Sequence, residues 1–238
     1  MRNIHPQLQK DQKAEVLLLS AFERLRSHYG PQNWWPADSP FEVAIGAILT
    51  QSTNWKNVEK ALQALKDAGA LSPKGLLDVP ERDLARLIYS SGFFNSKARK
   101  IKAFIGFLWE RFDGDIEAMR YENAGALRKE LLLVYGIGRE TADDILLYVA
   151  RKPSFVIDAY TRRIVDRLST SPPTKAYEAY RSLFQDNLPA DEALFNEYHA
   201  LLVQLGKEVC RRKPLCAKCC LLAICPTGQT SLSPPSHK

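Results

Sequence analysis

No cysteine precedes Cys210; all five lie between Cys210 and Cys225. A disulfide framework would tie distant segments together, so this distribution excludes one, and a local clutch of thiols reads as a metal or cluster site. No apolar run approaches the roughly 20 residues that a membrane helix needs. The opening MRNIHPQLQKDQKAEV is polar and lacks the hydrophobic centre of a secretory signal, so an intracellular, cytoplasmic chain is expected. Strand-like alternation, internal repeats, a GxGxxG fingerprint and a P-loop are all missing as well.

Helical periodicity fills most of the chain instead, and the expected fold class is all-α. Leu17, Leu18, Ala21, Phe22, Leu25 and Tyr29 form one apolar stripe. Ile101, Phe104, Ile105, Leu108 and Phe112 form a second, and Ala142, Ile145, Leu146 and Val149 a third. Phe41 to Leu49 is apolar nearly all round, which predicts a helix buried at the centre of a domain. Tyr177, Tyr180, Leu183 and Phe184 precede a last long helix over roughly 191–207. Breakers separate these stretches: Gly30-Pro31, Pro36, Pro40, Pro73, Pro80, Gly114, Pro153, Pro172-Pro173 and Pro189. Ser39-Pro40 fits an N-cap followed by proline in the first turn. The Ser- and Pro-rich residues 227–238 are expected to be disordered. Lys plus Arg (33) exceed Asp plus Glu (27), giving a net charge of +6 and a pI near 9.0. That balance favours phosphate-bearing partners, because each neutralised phosphate releases counterions.

Two segments carry candidate chemistry. In LLLVYGIGRETA, Gly136-Ile137-Gly138 sits between helical stretches, where two glycines permit a tight hairpin with positive φ. Backbone N–H groups there can approach a phosphate closely, while Ile137 plugs the core. Read alone, the same residues make an ordinary helix–helix turn. Further on, Ser154-Phe155-Val156-Ile157-Asp158-Ala159-Tyr160-Thr161-Arg162-Arg163 places an acid at the start of a helix. In isolation Asp158 is a helix cap before it is a catalyst.

Hairpin, spacer, proline and acid in this order resemble the helix-hairpin-helix DNA glycosylases, the superfamily that includes endonuclease III. Trp34-Trp35-Pro36 through Ser39-Pro40-Phe41-Glu42-Val43 is similar to the entry of that family's helical-barrel domain. Ile48-Leu49-Thr50-Gln51-Ser52-Thr53 resembles the segment whose glutamine fills the hole left by an extruded base. Ser91-Gly92-Phe93-Phe94-Asn95-Ser96-Lys97-Ala98 resembles the loop that carries an apolar wedge, a role open to Phe93 or Phe94. The resemblance implies two helical domains with a cleft between them. Residues 35–152 would form the barrel with the hairpin, and 1–34 plus 153–226 a cluster-holding domain, its hairpin and Asp158 facing each other across the junction. It also implies a monomer acting on double-stranded DNA with a damaged base, nucleoid-associated in a bacterium or archaeon.

In the bifunctional members, the residue after Gly-x-Gly-x is a lysine that forms a Schiff base with the sugar; here it is Glu140. A carboxylate cannot form an imine, so the expected enzyme is a monofunctional glycosylase in which water attacks. Lys97 is a conceivable substitute lysine. Asp158 would stabilise the oxocarbenium-like state and take the proton of the attacking water. Gly136, Ile137, Gly138 and Arg139 would hold the DNA backbone, with charge added by Arg162 and Arg163. The Ile-Leu-Thr-Gln start, the Gly-Phe-Phe-Asn loop and the missing lysine look like 3-methyladenine glycosylases, so alkylated purines are the expected substrates. The alternatives are an endonuclease III acting on oxidised pyrimidines and a non-catalytic DNA-binding homologue.

Cys210, Cys216, Cys219 and Cys225 give C-x5-C-x2-C-x5-C, nearly the family's spacing for a [4Fe–4S] cluster, with Cys220 an alternative third ligand. A structural zinc site with four thiolate ligands is the competitor, but zinc usually joins two close pairs and only one x2 pair exists here. His5, His28, His199 and His237 are scattered and read as no ligand set.

Overall fold

The structure, a computed structural model, describes residues 6–35 and 37–233. His5, Pro36 and His237 lie outside the described residues. The chain divides into two compact units, one built from Met1–Trp34 with Phe155–Lys238 and the other from Trp35–Ser154. Both are helical, with no strand among the described residues, so the all-α expectation holds. Helix α1 (Pro6–Tyr29) opens the first unit.

The central unit is organised around α2 (Pro40–Leu49). Ser39 caps it, Oγ accepting from Glu42 N at 3.2 Å, and Pro40 occupies the first turn, where a missing N–H costs nothing. Every residue from Phe41 to Leu49 is buried. Each large apolar side chain there adds about 1.5–3 kcal/mol to folding, which fixes α2 as the axis of the unit. Glu42 is tolerated inside because its carboxylate accepts from Asp38 N at 3.1 Å and pairs with Lys66 at 2.8 Å. Helices α3 (Trp55–Asp67), α6 (Phe94–Phe112) and α8 (Arg139–Asp144) pack on α2, while α4 (Pro73–Asp78) and α5 (Glu81–Leu87) pack on α6 and α7 (Ala124–Leu133) on α8. Helix α8 runs on into a π-helical turn, Ile145–Val149, whose five residues are all buried. Asp143 is fully buried beside it, bound by Arg128 at 2.8 and 2.9 Å and by Ser154 Oγ at 2.6 Å, which locks α8 to α7.

The other unit packs α1 on α11 (Glu192–Glu208), with α9 (Ala159–Arg167) and α10 (Tyr177–Gln185) completing its core. Phe155 stacks on Phe184 with ring centroids 3.8 Å apart, and Phe195 and Tyr198 meet Phe155 edge-on. The unit closes with α12 (Pro226–Leu232), which overturns the expectation of disorder from residue 227. Pro226 starts that helix and the Cys225 thiol caps it, accepting from Gly228 N at 3.4 Å; a cysteine cap is absent from the usual helix-start vocabulary. Residues 234–238 lie outside the described residues.

Candidate functional site

The hairpin is built from the chain outward. Gly136 has φ +82°, a left-handed conformation in which a side chain is strained. A Cβ there would also collide with the stem of Lys100 on α6. Ile137 is buried, its N–H bonded to Val134 O at 3.1 Å, and so anchors the turn in the core as expected. Gly138 differs in kind: its φ is −87° and a Cβ would meet nothing within 4 Å. The fold therefore has no need of glycine at 138, and the open space lets a ligand backbone approach the amides that start α8. Arg139 and Glu140 are exposed beside them.

Gln51 follows α2 and is tied to this hairpin. Its Nε2 donates to Gly136 O at 3.1 Å and to Thr141 Oγ1 at 3.0 Å, and its Oε1 accepts from Lys100 Nζ at 2.5 Å. Of the two wedge candidates, Phe93 stands out: it is 72% exposed and left-handed at φ 45°. Phe94 opens α6 and packs on Tyr89 at 4.8 Å. Lys97, the candidate substitute nucleophile, is buried and donates to Leu49 O at 2.8 Å and Ser91 O at 2.6 Å. Burial and the neighbouring Lys100 hold its ammonium down at about 8. Its two carbonyl partners immediately precede Thr50-Gln51 and Gly92-Phe93, so Lys97 joins the two loops and is not presented to solvent.

In the other unit, Asp158 is the N-cap of α9, Oδ1 accepting from Thr161 N at 2.7 Å. Its side chain is 14% exposed, and Oδ2 lies 4.0 Å from Nε2 of the buried His199. Burial lowers the His199 pKa, Asp158 pulls it back up, and Lys207 pushes it down. Lys207 is likewise lowered by burial and raised by Asp158. The carboxylate is thus oriented by backbone on one side and faces a neutral imidazole on the other. Arg162 and Arg163 are committed to the fold: Arg163 donates to Cys210 O and Gly206 O at 2.7 and 3.1 Å, and Arg162 to Lys175 O at 2.9 Å.

Four thiols, Cys210, Cys216, Cys219 and Cys225, line one cavity together with Arg167 and Leu222. Cys220 instead lines a different hollow with Arg24 and His28. Adjacent residues in extended backbone point to opposite sides, and Cys219 takes the inward one. Burial, aided by the neighbouring thiols, pushes Cys219 up to about 11. Arg167 Nη1 donates to Cys210 Sγ at 3.1 Å and α12 starts on Cys225, so positive ends face the sulfurs. No three His, Cys, Asp or Glu side chains converge tightly enough for a single metal ion among the described residues. A mononuclear zinc site at about 2.3 Å per bond needs sulfurs about 3.8 Å apart. Four thiols around one cavity are the donor type that a structural zinc ion and an iron–sulfur cluster both take.

An all-α chain with a Gly-x-Gly hairpin opening a buried helix, followed by a capping aspartate, defines a helix-hairpin-helix protein. Residues 45–190 match the HhH-GPD superfamily of base excision DNA repair proteins, and the chain belongs to that family. A protein of Methanocaldococcus jannaschii, provisionally named a DNA repair glycosylase, is 42% identical over 218 residues, 91% of this chain and 98% of its own. Endonuclease III of Thermotoga maritima is 32% identical over 199 residues, 82% of this chain and 86% of its own. Among solved structures, a trapped endonuclease III–DNA covalent intermediate superposes with TM-score 0.78 at 20% identity, covering 92% of this chain and 99% of that one. The Helicobacter pylori 3-methyladenine DNA glycosylase bound to 1,N6-ethenoadenine gives TM-score 0.68 at 25% identity, covering 82% of this chain and 97% of that one.

Lys100 and Thr141 were not legible as site residues, and Lys97, considered only as a substitute nucleophile, turns out to bridge two loops. Lys97 does carry a signal, since it stands four residues before Ile101 and seven before Phe104, in register with an apolar stripe.

Proposed function

We propose that this chain is a monofunctional DNA glycosylase that hydrolyses the N-glycosidic bond of a flipped, alkylated purine. The observation that carries the reading is Asp158, a largely buried carboxylate held by Thr161 N, in a chain whose lyase position is the acid Glu140. A duplex hides the reactive carbon, so the nucleotide must leave the stack at a cost of a few kcal/mol. Phe93, exposed and left-handed, is the wedge in this reading, and the hairpin amides with Arg139 receive the backbone. As the C1′–N bond breaks, Asp158 balances the positive charge that develops on the sugar. It also accepts the proton of the water whose oxygen forms the new bond. A cationic alkylpurine leaves as a neutral base, so no acid need protonate it. The likeness to the Helicobacter pylori enzyme supports the alkylpurine class.

Cys210, Cys216, Cys219 and Cys225 would hold a [4Fe–4S] cluster whose contribution is cross-linking the C-terminal loop. In this reading the protein works as a cytoplasmic monomer on duplex DNA. The test is base release from duplexes that each carry one lesion: an alkylated purine, thymine glycol, or adenine opposite 8-oxoguanine. Strand breaks that appear only after alkali, on the alkylated duplex, are expected. Breaks without alkali would overturn the monofunctional assignment, and release of thymine glycol alone would move the enzyme to oxidised pyrimidines.

A further inference from the structure

We propose that Lys100 is a DNA-contacting residue that parks Gln51 on the hairpin in the free protein and passes to a backbone phosphate when Gln51 leaves. This rests on the glycosylase reading and adds a residue to it.

Gln51, which that reading sends into the duplex, is fully engaged at rest. Both its amide nitrogen and its oxygen are used, on Gly136, Thr141 and Lys100. Insertion into DNA must break all three bonds, so something has to replace what the hairpin loses. Lys100 is the partner with most to gain. Among the described residues it meets no carboxylate, and its one hydrogen bond goes to the neutral carbonyl of Gln51, leaving two of three ammonium donors uncommitted. Its stem lies against Gly136, close enough that glycine alone fits there, so the ammonium stays beside the hairpin even after Gln51 departs. Lys97 and Arg99 share this end of α6, Arg99 lying over the Tyr135 ring at 6.0 Å, so the local field is positive.

The bond from Lys100 to Gln51 is charge-assisted on the donor side alone, whereas a phosphate oxygen brings an opposite charge to the acceptor side as well. A phosphate reaching the hairpin therefore competes for Lys100 with an acceptor that carries no charge. Losing that bond loosens Gln51 at the moment the duplex is seated. A ligand shifts such an equilibrium only by binding its two states differently, and the phosphate does so here because drawing the Lys100 ammonium onto it lengthens the 2.5 Å bond that holds Gln51. The helix-hairpin-helix thus couples seating on DNA to release of the plug.

The test compares wild type with Lys100→Met, which keeps the stem over Gly136 and removes the charge, on a duplex carrying a stable abasic-site analogue. The slope of log affinity against log salt should fall by about one unit in Lys100→Met. The affinity lost between about 50 and 200 mM salt then shrinks roughly three- to fourfold. Lys100→Arg should keep the wild-type slope, and so should Gln51→Ala, which weakens binding but removes no charge and so no counterion release. Lys100→Gln serves in its place if Lys100→Met fails to melt as a folded protein. Unchanged slope in Lys100→Met beside a wild type that binds with steep salt dependence overturns this proposal alone. A wild type without salt-dependent binding overturns the glycosylase reading and this proposal with it.

Discussion

Asp158→Asn separates charge from scaffold, because asparagine keeps the shape and the cap. The Oδ1 that accepts from Thr161 N at 2.7 Å is retained by the amide oxygen. Asp and Asn are near-equal N-caps, so stability should stay within about 0.5 kcal/mol of wild type. Asp158→Ala, which removes the cap, should cost about 1 kcal/mol, or roughly 2–4 °C in melting temperature for a chain of this size. Catalysis responds quite differently. Removing one preorganised electrostatic partner of a transition state costs about 10²–10³ in rate, and removing a general base about 10²–10⁴. With both roles on one carboxylate, single-turnover base release in Asp158→Asn should fall by at least about 10⁴. Affinity for an abasic-analogue duplex should hold or rise, since a negative charge has been removed. The assays are thermal melting, single-turnover release from the responding lesion, and equilibrium binding. An Asp158→Asn protein that keeps more than about 1% of the wild-type rate would refute the assignment, because no arrangement of the named effects leaves that much.

The remaining predictions use the same contrasts. Cys219→Ser should lose iron and visible absorbance while Cys220→Ser keeps both, since only Cys219 lines the four-thiol cavity; iron loss in Cys220→Ser would reverse the ligand choice. Gly138→Ala should melt within a few degrees of wild type yet bind duplex DNA at least tenfold more weakly, because its methyl enters open space at the hairpin amides. Gly136→Ala, strained at φ +82° and blocked by Lys100, should instead lose more than about 1 kcal/mol of stability; equal melting of the two variants would contradict this account. His199 has a folded pKa below its ordinary 6.5, so the unfolded chain takes up its proton first. The stability it contributes is complete above pH 6.5 and is lost as pH falls through the folded value. Melting temperature between pH 7.5 and 5 should therefore drop more steeply in wild type than in His199→Gln, and parallel curves would show that His199 does not titrate in this range.

What could be read from the sequence was whatever depends on a few neighbouring residues. The stripe Ile101, Phe104, Ile105, Leu108 and Phe112 became buried positions of α6, and the all-round apolar Phe41–Leu49 became the fully buried α2. Ser39 and Asp158 are caps because capping is decided within one turn. Ile137 is an anchor because Gly-Ile-Gly leaves it a single place to go. The short α12 escaped because its cap is a thiol and its composition is that of a loop.

The decisive choices within the site were not local. Phe93 and Phe94 are chemically identical, and only the left-handed φ of Phe93 turns one ring to solvent and sets the other at the start of a helix. Cys219 and Cys220 are likewise equivalent until the backbone sends them to opposite sides. Lys97 and Lys100 illustrate the harder case. Both sit in NSKARK, a run that carries no local sign of where its ammonium groups go, and a long stem takes each to partners fixed by tertiary packing. Lys97 finds the carbonyls at the ends of two loops, and Lys100 finds the side chain of a third segment, 49 residues away. Such contacts leave no periodicity behind. A lysine in register with an apolar stripe is the nearest thing to a sequence signal for them. It is informative because burying an ammonium is costly unless every donor has been given a reason to be there.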